Sequence, residues 1–200
     1  MSTKYFTSDL HFGHKKVAGL RGYDDVLKHD IAIRDTLKET LKPEDELFIL
    51  GDLVGRADAW HWALLLVRSI PLRAVHLIAG NHDPVHPASS KFGDYMQSGL
   101  RTFDTIAPFR RVRIAKGEHA MLSHFPYTRE RGGADPRWLQ WRLRDEGALL
   151  LHGHTHEATR VNPGGREIHV GWDAWERPVS LEEIRALAPE ARAGAFAPAA

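Results

Sequence analysis

Apolar residues fall along this chain in two rhythms. Short unbroken runs, Tyr5-Phe6, Leu47-Phe48-Ile49-Leu50, Val75-His76-Leu77-Ile78-Ala79, Met121-Leu122 and Leu149-Leu150-Leu151, have the character of strands buried on both faces. Between them Val26, Ile33, Leu37 and Leu41 share one helical face, and Trp60, Ala63, Leu64 and Val67 recur at i, i+3, i+4 and i+7, so two amphipathic helices are expected. A third helix is expected over residues 136–145, opened by Pro136, and a fourth after Ser180, which heads a capping box with Glu183. Lys116-Gly117 and Pro163-Gly164-Gly165 read as hairpin turns, which gives the second half more antiparallel pairing. The fold class is α/β or mixed α+β. No linker or repeat divides the chain, so one domain is expected over residues 1–188, followed by a flexible tail over 189–200 that contains two prolines and little to bury.

Each strand-like run is followed at once by small polar residues: Ser8-Asp9-Leu10-His11, Gly51-Asp52, Gly80-Asn81-His82-Asp83, Ser123-His124 and His152-Gly153-His154-Thr155-His156. The carboxyl ends of strands in an α/β sheet share one edge, where residues distant in sequence converge on a ligand. Glycines at 51, 80 and 153 would let the backbone turn sharply just where those side chains meet.

Composition decides what such a cluster can do. The 200 residues hold no cysteine and 13 histidines, which excludes disulfides, Fe–S ligation, thiolate zinc sites and a cysteine nucleophile. Asp, Asn and His suit Mn²⁺, Fe or Zn²⁺. At least seven such donors gather here, more than one tetrahedral site uses and enough for two ions sharing a carboxylate. A hydrophobic fraction of 42% with 26% charged residues excludes a disordered chain, and a net charge of +1 does not by itself imply a polyanionic partner. No apolar run approaches the ~20 residues needed to span a bilayer. The N-terminal residues have no signal-peptide core, so a cytoplasmic address is expected.

With these five clusters in order, the sequence resembles the calcineurin-like metallophosphoesterase superfamily, and particularly its small single-domain bacterial and phage-type members. The motifs are Asp9-x-His11, Gly51-Asp52, Gly80-Asn81-His82-Asp83, the lone His124 and Gly153-His154-Thr155-His156, within a resemblance covering residues 4 to 172. It implies a four-layer αββα sandwich of two mixed sheets. It also implies one divalent metal on Asp9, His11, Asp52 and His156 and a second on Asp52, Asn81, His124 and His154, with Asp52 bridging. Mn²⁺ is expected, with Fe or Zn²⁺ as alternatives. The activity implied is hydrolysis of a phosphate ester by a metal-bridging hydroxide. His82 would face the leaving group, where a histidine, ordinarily titrating near ~6.5, can supply a proton at neutral pH.

The sequence departs from the protein-phosphatase branch at Gly55, where that branch carries an Asp that orients the catalytic histidine; Asp83, or another acid, would take that role. Arg56, the only arginine retained of that branch's phosphate-binding pair, is a candidate substrate ligand, as are His14 and Arg21. With one guanidinium kept of two, phosphodiesters are expected over monoesters. The substrate is expected to be a small phosphate ester or a nucleotide. Nucleic acid is not indicated, no membrane partner is expected, and the sequence does not speak to oligomeric state. A catalytically silent metal-binding scaffold and a nucleotide or lipid-precursor pyrophosphatase are the competing readings. His152, His29, His61, His76, His86 and His119 are expected to be packed or solvated, the arginines of Arg110-Arg111-x-Arg113 and Arg129-x-Arg131 to be a solvated face, and Trp138, Trp141, Trp172 and Trp175 to be core.

Overall fold

The computed structural model describes residues 2–127, 136–162 and 165–194, without the side chains of 136, 137 and 194. Four strands, β1 (Lys4–Thr7), β2 (Glu46–Ile49), β3 (Ala74–Ile78) and β4 (Thr105–Ala107), run parallel in the order β4-β3-β2-β1, and β9 (Val179–Ser180) pairs antiparallel with β1. Because the parallel strands are added in one direction only, right-handed crossovers place their connecting helices on a single face. Leu47, Ile49, Val75 and Leu77 cluster there with Ile33 and Leu37 of α2 (Val26–Thr40) and with Trp60, Ala63, Leu64 and Val67 of α3 (Trp60–Arg68). The shorter α1 (Lys15–Leu20) precedes α2, and α4 (Phe92–Leu100) leads into β4.

Strand alternation sends the intervening residues the other way. Phe6, Phe48, Leu50 and Ile78 meet Val112, Ile114, Leu122, Leu149, Leu151 and Ile168 of a second sheet. This sheet is ordered β5 (Phe109–Ala115), β6 (Glu118–Ser123), β7 (Leu149–His152), β8 (Glu167–His169). Phe6 and Phe48 stack at 5.4 Å in the seam. The fold is thus two mixed sheets flanked by helices, as the resemblance implied. α5 (Trp172–Trp175) follows β8, and α6 (Leu181–Gly194) packs on strands of both sheets. The capping box at its start is reciprocal: Ser180 N donates to Glu183 Oε2 at 3.0 Å and Glu183 N to Ser180 Oγ at 3.3 Å.

Three local expectations are corrected. Residues 136–141 form a 3₁₀ helix rather than an α-helix over 136–145. The chain does not loosen at 189, because α6 runs through Pro189 to Gly194 with Ala188 and Ala191 buried in the core and Pro189 on the solvent side; residues 195–200 lie outside the described ones. The second sheet is less antiparallel than expected: β5 and β6 form the hairpin turned at Lys116-Gly117, but β6, β7 and β8 are parallel. Pro163 and Gly164 lie outside the described residues. Among the described residues β8 has one antiparallel bridge, Val161–Ile168.

Candidate metal centre

The carboxyl ends of β1, β2, β3, β6 and β7 meet at one edge. Two strand ends are stitched together beyond the sheet, Asp9 N donating to Gly51 O at 3.0 Å and His11 N to Asp52 O at 3.0 Å. The second sheet is tied to the first where His124 Nδ1 meets Leu50 O at 2.8 Å, and within the second sheet Gly153 N donates to His124 O at 3.1 Å, joining the ends of β6 and β7. Close approach explains the glycines. Gly51 has φ 90° and a Cβ there would run into the His124 ring; a Cβ on Gly153 would strike Ser8 Oγ and Asp9 Oδ2.

The backbone is strained at this edge. Asp9 (φ 59°), His11 (50°), Asp52 (49°), His154 (74°) and His156 (53°) occupy the left-handed region, which costs of order 1–3 kcal/mol per non-glycine residue. The only other described non-glycine residue there is Glu176, which ends α5. Strain gathered on five residues at one edge marks a place where side-chain direction outweighs local stability.

The donor atoms form two groups, Asp9, His11 and His156 in one and Asp52, His124 and His154 in the other. His11 Nε2 stands 3.1 Å from His156 Nε2, and His156 Nε2 stands 3.9 Å from Asp9 Oδ1. His124 Nε2 lies 3.2 Å from His154 Nδ1, 3.1 Å from Asn81 Oδ1 and 3.4 Å from Asp52 Oδ2. Asp52 Oδ2 is also 3.7 Å from His11 Nε2, so this carboxylate lies between the groups. The donor set fits divalent cations on its chemistry. A backbone carbonyl only accepts, so His124 donates through Nδ1 and, when neutral, turns an Nε2 lone pair toward other acceptors. His156 is fixed the same way, its Nδ1 lying 2.7 Å from Asp173 Oδ2. Imidazole lone pairs directed in this way toward neighbouring donor atoms suit a cation held between them.

Burial and neighbouring charge move the titration of these groups in different directions. Burial opposes the charged form of His124, but Asp52 and then Asp9 outweigh it and push its pKa up to about 9. Burial would likewise raise Asp9, yet His124 and His156 hold it below the usual carboxylate range. For His11 burial dominates and pushes it down to about 3.

The remaining candidates fall in different places. His82 is 44% exposed at the mouth of the site, with Nε2 4.0 Å from Asp52 Oδ2 and its backbone N donating to Asp52 Oδ1 at 2.9 Å. Asp83 does not orient it: the buried carboxylate accepts Gly80 N at 2.9 Å and Val54 N at 3.3 Å, tying the two loops together. Burial and the charge of Asp52 push Asp83 up to about 7. His14 caps α1 by accepting Val17 N through Nδ1 at 3.3 Å, and its ring stands edge-on to His82 at 6.4 Å. Arg56 is 76% exposed and pairs with Asp58 at 3.3 Å.

Arg21 is not free to bind substrate. Its Nε reaches Asp173 Oδ1 at 2.8 Å; Nη2 reaches Asp173 Oδ2 at 2.8 Å and Asp9 O at 2.7 Å; Nη1 reaches Leu10 O at 3.2 Å and His29 Nε2 at 3.1 Å. All five guanidinium donors are spent. His29, expected to be packing, passes this network to Asp30, which accepts Gly13 N and Trp62 Nε1. Asp173 was missed from the sequence, and its only signal is its place two residues beyond Gly171, where β8 gives way to α5.

The family model for calcineurin-like phosphoesterases matches residues 3–158. The Gene 66 protein of Mycobacterium phage D29 is 39% identical over 207 residues, covering 97% of this chain and 100% of the relative. The Gene 66 protein of Mycobacterium phage L5 is 38% identical over 194 residues, covering 92% and 93%. Among solved structures, a protein of unknown function from Aquifex aeolicus, AQ665, superposes with a TM-score of 0.68 at 27% identity over 94% of this chain and 100% of that one.

Proposed function

This chain belongs to the calcineurin-like phosphoesterase family, and from that premise we propose how its residues divide the work of a metal-dependent phosphoesterase. Asp9, His11, Asp52 and His156 hold one divalent ion, and Asp52, Asn81, His124 and His154 hold the other. The observation that carries this is the position of Asp52, whose Oδ2 faces His11 Nε2 on one side and His124 Nε2 on the other at 3.7 and 3.4 Å. Two bound cations would polarise a phosphoryl oxygen and acidify the water that attacks phosphorus as hydroxide. Mn²⁺ suits this oxygen-and-imidazole set, as Fe and Zn²⁺ do.

His82 is the proton donor to the departing alkoxide. Its ring is 44% exposed, while its backbone is pinned by Asp52, so the side chain is held beside the donor groups without being drawn into them. His14 stands beside it and, with Nδ1 accepting from Val17, carries its proton on Nε2. Phosphodiesters are preferred over monoesters, because the guanidinium of Arg21 is fully engaged and Arg56 is paired with Asp58.

The test is direct. Chelated protein should be inert toward bis-nitrophenyl phosphate, and restoring Mn²⁺ should return hydrolysis in step with binding of two ions per chain. Full activity with one ion, or turnover in the stripped protein, rejects the dinuclear reading.

A further inference from the structure

The two donor groups are built to different standards of rigidity. His124 is completely buried, and a main-chain carbonyl, Leu50 O, sets its ring. His156 is 39% exposed on the loop after β7, and its partner is a side chain, Asp173. An imidazole on an exposed loop turns about χ2 unless something holds it. The other imidazole of the same group gives no help, since His11 Nδ1 is buried without a hydrogen-bond partner among the described residues.

Asp173 is held in turn. Arg21 grips its carboxylate fork to fork through Nε and Nη2, both at 2.8 Å, the strongest geometry available to such a pair. The same Nη2 holds the carbonyl of Asp9 at 2.7 Å, and Nη1 holds that of Leu10. One guanidinium therefore secures both ends of the group: the strained backbone that presents Asp9, and, through Asp173, the ring that presents His156.

We propose that Asp173, braced by Arg21, is the positioning residue for the group Asp9, His11 and His156, and that the ion in this group depends on it while the ion at Asp52, His124 and His154 does not. This rests on the two-ion reading above. A carboxylate on the far nitrogen of a ligating histidine fixes the tautomer and raises the basicity of the near one, and loss of such a partner typically costs 10–100-fold in metal affinity.

The experiment is a Mn²⁺ titration of the stripped full-length chain, with free Mn²⁺ read by electron paramagnetic resonance, alongside long-range ¹⁵N–¹H spectra of the Zn²⁺-loaded protein that report the His156 tautomer. Asp173→Ala should weaken one of two sites by about 10–100-fold, leave the other within about threefold, and lose the Nδ1–H form of His156. Asp173→Asn, which keeps the shape and one acceptor oxygen, should fall between Ala and the native protein; it also serves if the alanine variant does not fold. Two unchanged affinities in folded Asp173→Asn and Asp173→Ala overturn the proposal and leave the two-ion reading intact, and so does an equal weakening of both sites. A native protein that binds fewer than two ions overturns the reading itself, and the proposal with it.

Discussion

The ring of His14 occupies the space that a side chain on Gly55 would need: a Cβ built on this buried glycine falls into the imidazole. The residue that the protein-phosphatase branch places here, an aspartate, therefore meets a histidine from the loop after β1. Gly55→Asp should therefore destabilise the native chain by about 1–3 kcal/mol, the usual cost of overpacking, and cost much less in a His14→Ala background. Urea denaturation of the four proteins in the cycle checks this, and additivity within about 0.5 kcal/mol would show that the two positions do not share the volume.

Asp52→Ala should remove both ions. It is the carboxylate that faces His11 and His124 at once, so neither group keeps its full donor set without it. The fold should survive dialysis, and metal analysis should find less than one ion per chain; a full complement would separate Asp52 from both groups.

His82→Ala should lower kcat by about 10²–10⁴ on alkyl esters, the range for a general acid, with both ions still bound. The loss should shrink for nitrophenyl esters, whose leaving group needs no proton. Loss of metal in this variant, or full activity on an alkyl ester, removes the assigned role.

Acid should destabilise the fold partly through His76. Burial first, then Arg110, Lys4 and Arg73, push this strand residue down to about 4, whereas in the unfolded chain it titrates near ~6.5. Between those values the unfolded state binds more protons, so the contribution is complete above pH ~6.5 and is lost as pH falls toward 4, with a ceiling of about 3 kcal/mol. His76→Gln should flatten the dependence of the urea midpoint on pH between 7 and 4.5. Parallel curves for the two proteins would assign the acid sensitivity elsewhere.

The candidate donors were legible because chemistry and backbone rules coincide at strand ends: a ligand there must follow a strand and is preceded or joined by glycine, as at Gly51-Asp52 and Gly153-His154. The bracing network was not, because Arg21 and Asp173 sit 152 positions apart: Arg21 stood out only as a candidate substrate ligand, and nothing local joined it to Asp173. One signal was present. The apolar stripe Val26, Ile33, Leu37 is interrupted by His29 and Asp30 at the very positions that face inward, and polar residues on a buried stripe call for a partner. The parallel run of β6, β7 and β8 was hidden for another reason: among the described residues β8 meets an antiparallel neighbour only at the isolated bridge Val161–Ile168, and its ladder partner is the parallel β7, which lies earlier in the chain.

Substrate class turns on charge. A monoester dianion places more negative charge on its terminal oxygens than a diester monoanion, and enzymes of the protein-phosphatase branch meet it with two arginines. Here the candidates are otherwise engaged: Arg21 spends its donors on Asp173, His29 and the carbonyls of Asp9 and Leu10, and Arg56 extends into solvent beside Asp58. A diester makes the smaller electrostatic demand, and its alkoxide leaving group gives His82 a proton to deliver. With Mn²⁺ bound, kcat/KM for bis-nitrophenyl phosphate, corrected for intrinsic reactivity, should exceed that for nitrophenyl phosphate, and Arg56→Ala should change the ratio by less than threefold because its guanidinium is not committed to the site. A tenfold advantage for the monoester would overturn the preference. A collapse of monoester activity alone in Arg56→Ala would show that this arginine swings in to complete the charge the site otherwise lacks.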